Sequence, residues 1–193
     1  MEGTTHKTWT EDEYLALEAE SDQKHEWVNG EIVAWAGGSL AHTTLCANLA
    51  RCIGNGLLGR RCLVMSSDQR VIVGETGLCA YPDLTVVCGP PRTAPKSPSA
   101  LTNPILLVEV LSPDTELYDR GAKFAHYRHL TSLQGYLLVA QDTHRLEYFQ
   151  RMPSGQWLLT VAEAGGLEVT GLEIVLSVEE VYQHLDLLAP GAT

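Results

Sequence analysis

Long apolar runs are missing from this 193-residue sequence. The densest apolar segment, residues 105–111, is interrupted by Glu109, so no segment is predicted to span a bilayer. The stretch 1–7 lacks the apolar core of a signal peptide, which predicts a cytoplasmic protein. Because 45% of the residues are hydrophobic, the chain can bury a sizeable core, and we expect residues 1–193 to form one domain.

Several motifs that would define other classes of protein are also absent. The five cysteines are odd in number and contain no C-x-x-C pair, which disfavours a zinc ribbon or a disulfide scaffold. We therefore expect small, buried, reduced cysteines. The sequence has no phosphate loop, no H-E-x-x-H, no G-x-S-x-G and no basic stretch interleaved with aromatic residues.

The first third of the chain carries clear local signals. Thr10 and Glu13 form a capping-box pattern that opens a helix ending near residue 18. Asn29-Gly30 lies between β-prone runs and predicts a hairpin with a type I′ turn. From residue 41 onward, apolar residues recur every four positions as far as Leu57, which predicts a second helix.

The rest of the chain alternates strands and helices without strict βαβ order. Segments 62–65 and 70–73 are predicted as strands that could pair, and the proline-rich segment 89–103 as a loop. Helices are expected at 116–130 and after Ser177. Further strands are expected at 84–87, 105–111, 136–140, 145–150 and 157–161. The fold class is α/β or α+β, with an N-terminal helix and β-hairpin and with helices flanking a mixed β-sheet.

Two carboxylates stand where the apolar pattern does not favour them. Asp83 begins a strand, and Glu109 lies on the same face of the next long strand as Leu107 and Leu111. A carboxylate in such a strand is costly unless it is paired or binds a cation. Taken alone, each residue has an ordinary structural explanation, which is an ion pair for Glu109 and a strand-entry cap for Asp83. Together they predict an oxygen-ligand site for Mg²⁺ or Mn²⁺.

The helix that follows places Asp119, Lys123 and Tyr127 on one stripe. An ordinary solvated salt bridge explains the first two. A functional interpretation is that Lys123 leans over the end of the Glu109 strand, where it would orient or deprotonate a water and neutralise phosphate charge.

These motifs resemble the Uma2 family, the former DUF820 group within the PD-(D/E)XK nuclease superfamily. The similarity covers roughly residues 9–149, and its most specific blocks are Pro82-Asp83 and the segment 109–115 followed by the Asp119, Lys123 and Tyr127 stripe. The resemblance implies a restriction-endonuclease-like fold and a Mg²⁺-dependent endonuclease that hydrolyses DNA phosphodiester bonds. It implies no organic cofactor and no membrane.

The resemblance also implies roles for individual residues. Asp83 and Glu109 would bind Mg²⁺ or Mn²⁺, with the Val110 backbone carbonyl as an additional ligand. The superfamily lysine is replaced here by Leu111, and Lys123 would take its place, as in other Uma2-like sequences. The family tends to carry Glu at position 135 and Trp at position 137, where this chain has Gly and Leu.

Other candidates have equally ordinary explanations. Glu31 is a candidate third acid or an exposed residue after the turn, and His42 is a candidate catalytic residue or a structural histidine. Candidate nucleic-acid contacts are Arg92, Lys96 and Arg120. A homodimer is expected, because duplex cleavage needs two sites.

Two rival functions remain open at this stage. One is an inactive or regulatory protein that retains the nuclease fold. The other is a metal-dependent hydrolase of small phosphoesters that uses the same acidic residues. Calorimetric measurement of Mn²⁺ binding would separate the first from the nuclease, and competition by duplex DNA would separate the second.

Charge is distributed unevenly along the chain. Lys and Arg number 13 against 24 Asp and Glu, a net charge of −11, which disfavours nucleic-acid binding through the overall field. The acidity belongs to the two ends, however, because residues 37–153 carry nine acidic and eleven basic side chains. We therefore expect DNA binding that is metal-dependent, weak and sensitive to salt.

Overall fold

A computed structural model describes residues 7–35 and 37–188 of the chain. The N-terminal stretch from which the sequence argued against a signal peptide lies almost entirely outside these residues. Within the described ranges, no helix is long and apolar enough to cross a membrane.

The secondary structure is mixed. The helices are α1 (Glu11–Glu20), α2 (Leu40–Gly56), α3 (Glu116–Tyr118), a π-helical segment (Asp119–Lys123), α4 (Phe124–Tyr127), α5 (Val178–Val181) and a 3₁₀ turn (Leu185–Leu188). The strands are β1 (His25–Val28), β2 (Glu31–Ala34), β3 (Cys62–Ser66), β4 (Val71–Val73), β5 (Leu78–Ala80), β6 (Leu84–Cys88), β7 (Thr93–Ala94), β8 (Ser97–Leu101), β9 (Leu106–Val110), β10 (Gly135–Val139), β11 (Leu146–Arg151), β12 (Trp157–Ala162), β13 (Gly166–Val169) and β14 (Ile174–Ser177).

Two six-stranded sheets form the framework. The central sheet has the order β12-β11-β10-β9-β6-β3, and only β9 and β10 in it run parallel. The second sheet has the order β2-β1-β5-β4-β8-β7, and β13 and β14 form a separate hairpin. This mixed α+β arrangement, with helices flanking mixed sheets, confirms the predicted fold class.

Strands β9 and β10 in the middle of the central sheet are buried on both faces, which explains their apolar character. On one face, Val108 and Leu137 belong to a core cluster that includes Leu45 and Leu49 of α2. On the other face, side chains of the central sheet pack with α4 and with β4 and β5 of the second sheet, in the cluster that holds Leu107 and Leu111. Period-2 alternation therefore points Glu109 toward α4 and the second sheet.

The local signals in the sequence correspond to real elements. Thr10 and Glu13 form the reciprocal capping box of α1, and Ser177 caps α5 by accepting from the Glu180 backbone N–H. Asn29 and Gly30 both have positive φ, 50° and 89°, as a type I′ turn between β1 and β2 requires. These predictions are confirmed because each depends on contacts within a few residues.

The predicted pairing of segments 62–65 and 70–73 is wrong. Strand β3 pairs with β6 in the central sheet, whereas β4 belongs to the second sheet. The β3–β6 register also places Cys62 directly opposite Cys88, and the two form a disulfide. The expectation of reduced cysteines is therefore wrong for this pair. Cys46, Cys52 and Cys79 are free.

Two element predictions need correction. The segment 89–103 is not simply a loop, because it contains β7 and β8, which pair antiparallel at the edge of the second sheet. The helix predicted over 116–130 is divided by the π-helical segment and ends at Tyr127. The hairpin β13–β14 was not predicted.

Gly135 occupies a position in β10 that has no room for a side chain. A Cβ atom at Gly135 would lie 2.5 Å from Cε2 of Tyr148 and 3.0 Å from Cδ1 of Leu106, and both neighbours are buried. We expect Gly135→Ala to destabilise the fold by about 1–3 kcal/mol, because the buried neighbours must move to admit the methyl group. Urea unfolding would measure the change.

Gly54 provides the matched control for this substitution. It lies within α2, and a Cβ there would meet nothing within 4 Å. We expect Gly54→Ala to stabilise the protein by roughly 0.5–1 kcal/mol through lower backbone entropy in the unfolded chain. Equal effects of the two substitutions would contradict the steric explanation for Gly135.

Candidate active site

Asp83 and Glu109 lie side by side on neighbouring strands. Asp83 immediately precedes β6, and the antiparallel register that pairs Leu84 with Val108 places it opposite Glu109. The Asp83 carboxylate accepts a hydrogen bond from the Val110 backbone N–H at 2.7 Å. The two acidic residues are only 6% and 3% exposed. The sheet register thus brings together the two carboxylates that the sequence predicted as partners.

Lys123 extends from the π-helical segment into this acidic cluster. Its Nζ lies 2.9 Å from Glu109 Oε1, 3.2 Å from Glu26 Oε1 and 3.5 Å from Asp119 Oδ1. Lys123 and Asp119 are both buried. A π-helical turn inside a helix is often found at functional sites, and here it carries Asp119 and Lys123, two of the three members of the predicted stripe.

Two tyrosines hold the Glu109 side chain and the π-helical segment in place. The Tyr127 hydroxyl donates to Glu109 Oε1 at 3.0 Å, and the Tyr136 hydroxyl donates to the Asp119 backbone carbonyl at 3.0 Å. Burial raises the pKa of both phenols, so they remain donors at neutral pH. Glu109 therefore has a fixed orientation between Tyr127 and Lys123.

Glu26 is a site residue that the sequence analysis missed. It lies on β1 and is 8% exposed. Its Oε1 contacts Lys123 and accepts the Tyr81 backbone N–H at 3.1 Å. The available signal was like the one used for Glu109, because Glu26 is a carboxylate inside a predicted strand and stands next to Trp27. The candidate predicted from the sequence was instead Glu31, on the partner strand of the same hairpin.

His42 joins the site through Asp83. The imidazole Nε2 lies 3.2 Å from Asp83 Oδ2, and Nδ1 lies 3.6 Å from the Cys46 thiol sulfur. The hydrogen bond to Asp83 raises the pKa of His42 despite partial burial. Burial, with smaller contributions from Asp83 and Glu109, raises the pKa of the Cys46 thiol, so Cys46 is not an activated nucleophile.

A cleft of about 640 Å³ opens over these groups. Its walls include Asp83, Glu109, Val110 and Lys123, and the exposed Glu31 side chain lies at its edge. The second sheet contributes β1 and β2, and the segment 112–115 that leads into α3 contributes another wall. The cleft therefore gives a ligand access to the buried carboxylates.

The predicted nucleic-acid contacts lie outside this cleft. Among the described residues that line it, none is Arg92, Lys96 or Arg120. Lys96 Nζ is 2.7 Å from Asp12, and Arg120 forms an ion pair with Glu147. Their role in binding a polymer stays a prediction.

The electrostatics of the cluster are dominated by burial. Burial raises the pKa of Glu109 well above its ordinary value, although the Lys123 charge opposes this. Burial also raises the pKa of Asp119. For Lys123, burial acts to lower the pKa, but Glu109, Glu26 and Asp119 outweigh it and raise the pKa well above its ordinary value. Lys123 is therefore a stable cation.

The donor set fits a hard divalent cation. Asp83 and Glu109 supply carboxylate oxygens at the wall of the cleft, and Mg²⁺ and Mn²⁺ prefer oxygen ligands. The cluster also holds the carboxylates of Glu26 and Asp119, with Lys123 as the ammonium that contacts three of the four. Buried negative charge in excess of its counter-charge is costly, and a bound divalent cation would remove that cost.

The mixed central sheet carries two acidic side chains on neighbouring strands beside a buried lysine. The sequence led us to expect this arrangement in a nuclease-like class of protein. The chain belongs to the Uma2 family, described as "Putative restriction endonuclease", whose family model matches residues 11–185. This membership confirms the resemblance seen in the sequence.

Two similar proteins come from a Synechocystis strain. "Uncharacterized protein slr1290" of a Synechocystis strain is 36% identical over 175 residues, which cover 90% of this chain and 91% of the relative. "Uncharacterized protein sll1609" of the same organism is 38% identical over 156 residues, which cover 81% of this chain and 88% of the relative. Both matches extend over most of the two chains compared.

The fold also matches a solved structure. A crystal structure of "a putative nuclease belonging to DUF820" from Anabaena variabilis superposes with a TM-score of 0.72 and 18% sequence identity. The superposition covers 89% of this chain and 96% of the other. At this identity the likeness establishes a shared fold.

Proposed function

We propose that this protein is an endonuclease that hydrolyses DNA phosphodiester bonds with Mg²⁺ or Mn²⁺ held by Asp83 and Glu109. One observation carries the proposal: two buried carboxylates on adjacent strands meet beside a buried lysine at the wall of an open cleft. The family description as a restriction endonuclease supports the same chemistry.

Different side chains would bind the cation and fix its ligands. A divalent cation in this position would polarise the phosphate and acidify a water molecule. Asp83 and Glu109 would hold it, together with the Val110 carbonyl. The hydrogen bond from the Val110 N–H fixes Asp83, and Tyr127 fixes Glu109. The carboxylates are therefore preorganised, so little reorganisation is needed on binding.

Lys123 acts as a cation in this proposal and not as a base. Its pKa is raised by three nearby carboxylates, so the ammonium keeps its proton at neutral pH. It would donate a hydrogen bond to the attacking water or to a phosphate oxygen and stabilise the developing negative charge. Glu26 and Asp119 serve as positioning residues for Lys123.

DNA is proposed as the substrate on the strength of the family description. The cleft itself is acidic, so a phosphate would be bound through the cation and Lys123, and binding should weaken as salt is raised. A homodimer with two such sites would serve duplex cleavage, and analytical ultracentrifugation would test that state.

A hydrolase of small phosphoesters is the second candidate. The observation that favours it is the lining of the cleft: in the described part of the chain, Lys123 is its only Lys or Arg residue. A polymer normally requires several cationic contacts along its backbone. Competition between duplex DNA and a small chromogenic diester would distinguish the two substrates, because only a DNA enzyme is inhibited by duplex at low concentration.

The test of the proposed function is cleavage of supercoiled and linear DNA with Mg²⁺, Mn²⁺ or EDTA. We expect Asp83→Asn to reduce cleavage by roughly 1,000-fold, because loss of its charge weakens the cation site. Asp68→Asn is the matched control, since Asp68 is 81% exposed, pairs with Lys24 and does not line the cleft. It should retain wild-type activity.

Two results would contradict the proposal. Cleavage that persists in both Asp83→Asn and Glu109→Gln would show that these carboxylates are not the site. A wild-type protein that neither binds Mn²⁺ in calorimetry nor cleaves any phosphodiester would favour the inactive or regulatory alternative.

A further inference from the structure

Cys46 is a thiol near the site that the proposed hydrolysis does not use. It lies on α2 one helical turn after His42, so both side chains project from the same face of the helix. The thiol sulfur is 3.6 Å from His42 Nδ1, and the opposite ring nitrogen is 3.2 Å from Asp83. Helix α2 thus brings a thiol and an imidazole against a carboxylate of the central sheet.

These three groups are close enough to share one ion. One ligand atom from each of His42, Cys46 and Asp83 can be chosen so that all lie within 4.8 Å of one another. Bond lengths of about 2.0–2.3 Å to Zn²⁺ place tetrahedral ligands roughly 3.3–3.8 Å apart, so only small side-chain adjustments are needed. His42 and Asp83 also line the cleft, which gives an ion a path of entry.

The ligand types select a different cation from the one proposed for hydrolysis. A nitrogen, a sulfur and an oxygen donor suit Zn²⁺ or Co²⁺, whereas Mg²⁺ prefers oxygen donors alone. Three protein ligands leave a fourth position open to water. The thiol proton would pass to solvent when the metal–sulfur bond forms.

We propose that His42, Cys46 and Asp83 form a second metal site, selective for a thiophilic divalent cation such as Zn²⁺. The site shares Asp83 with the proposed Mg²⁺ or Mn²⁺ position. Occupation by Zn²⁺ therefore withdraws that carboxylate and inhibits cleavage, a consequence that rests on the proposed function. Zinc binding itself does not depend on it.

Titration with Co²⁺ alone tests the ligand set. Wild-type protein should develop the near-ultraviolet thiolate-to-cobalt charge-transfer band. Cys46→Ser should lose the band and bind Co²⁺ at least about 10-fold more weakly, since even loss of an outer-shell contact can cost that much. Cys52→Ser is the matched control, because Cys52 is a free, buried thiol on the same helix whose sulfur contacts Glu180 instead. It should keep both the band and the affinity.

Competition with Mn²⁺, followed by electron paramagnetic resonance, tests the sharing of Asp83. We expect Zn²⁺ to displace Mn²⁺ from wild type and Cys52→Ser at similar concentrations. In Cys46→Ser, the Zn²⁺ concentration that displaces half of the bound Mn²⁺ should rise at least about 10-fold. Mn²⁺ binding by Cys46→Ser in the absence of zinc also shows that this variant is folded.

The outcomes separate this inference from the proposed function. Mn²⁺ binding without a cobalt–thiolate band, or a band that survives Cys46→Ser, overturns the second site and leaves the nuclease proposal standing. A cobalt–thiolate band lost in Cys46→Ser, in a protein that binds no Mn²⁺, supports the second site and overturns the proposed hydrolytic metal site.

Discussion

Glu109→Gln will abolish metal-dependent cleavage and leave the metal-free protein at least as stable as wild type. Cleavage should fall by roughly 1,000-fold, because a neutral amide is a poor ligand for a hard cation. The fold should tolerate the change, because Lys123 keeps Glu26 and Asp119 as partners and a Gln oxygen can still accept from Tyr127. Urea unfolding in EDTA and a DNA cleavage assay measure the two effects.

The stability difference between Glu109→Gln and wild type should change with pH in a definite direction. The pKa of Glu109 in the folded protein is raised by burial above its ordinary value of 4.5. Its favourable contribution to stability is therefore present below pH 4.5 and is lost as pH rises through the folded pKa. In EDTA, the stability advantage of Glu109→Gln over wild type should be small near pH 4.5 and should grow with pH. An advantage that shrinks with rising pH would contradict a buried, charge-strained Glu109.

Lys123→Met is expected to have the largest effect on stability. Removing the ammonium leaves Glu109, Glu26 and Asp119 without their common counter-charge in a buried site. Breaking a buried ion pair in this way typically costs about 3–5 kcal/mol. Because the raised pKa of Lys123 lies above 10.5, its contribution is fully present at pH 7 and would be lost only in strong alkali. Urea unfolding at pH 7 in EDTA measures the loss.

Two additions make the Lys123 prediction specific. Mn²⁺ should restore part of the lost stability, and the double variant Lys123→Met with Glu109→Gln should be less destabilised than Lys123→Met alone, because one uncompensated charge is gone. Lys7→Met serves as the control, since Lys7 is 56% exposed and forms a surface ion pair with Glu13. If Lys123→Met lowers the free energy of unfolding by less than about 1 kcal/mol, Lys123 contributes no more than an ordinary surface ion pair, and the prediction is contradicted.

Much of the fold could be predicted from local patterns. The helix caps at Thr10 and Ser177, the Asn29-Gly30 turn and the four-residue periodicity of α2 each involve neighbours in sequence. Pairing between distant segments could not be predicted in the same way. Strand β3 was assigned the wrong partner, because several short apolar strands satisfy the same period-2 pattern and register is fixed only by packing.

Part of the candidate site could also be predicted from the sequence, and part could not. Asp83 and Glu109 could be predicted as site residues because each places a charge in or at the start of an apolar strand. Lys123 could be predicted because it lies on the helix that follows the Glu109 strand. Glu26 was missed, although it shares Lys123 with Glu109. Its importance depends on β1 of the second sheet lying close to the π-helical segment, a contact between residues about 97 positions apart in the chain.

The sequence by itself determined the fold class and singled out the two strand carboxylates, because burial periodicity and strongly charged exceptions to it are local properties. The family followed from the resemblance of its motifs, which the family model confirms. Only the tertiary structure decided which side chains meet. It joined Glu26 to Lys123 and brought Cys46 to His42 and Asp83. It also joined Cys62 to Cys88 across two strands. These contacts depend on sheet order and on the placement of helices over the sheet, which long-range packing sets and local pattern does not encode.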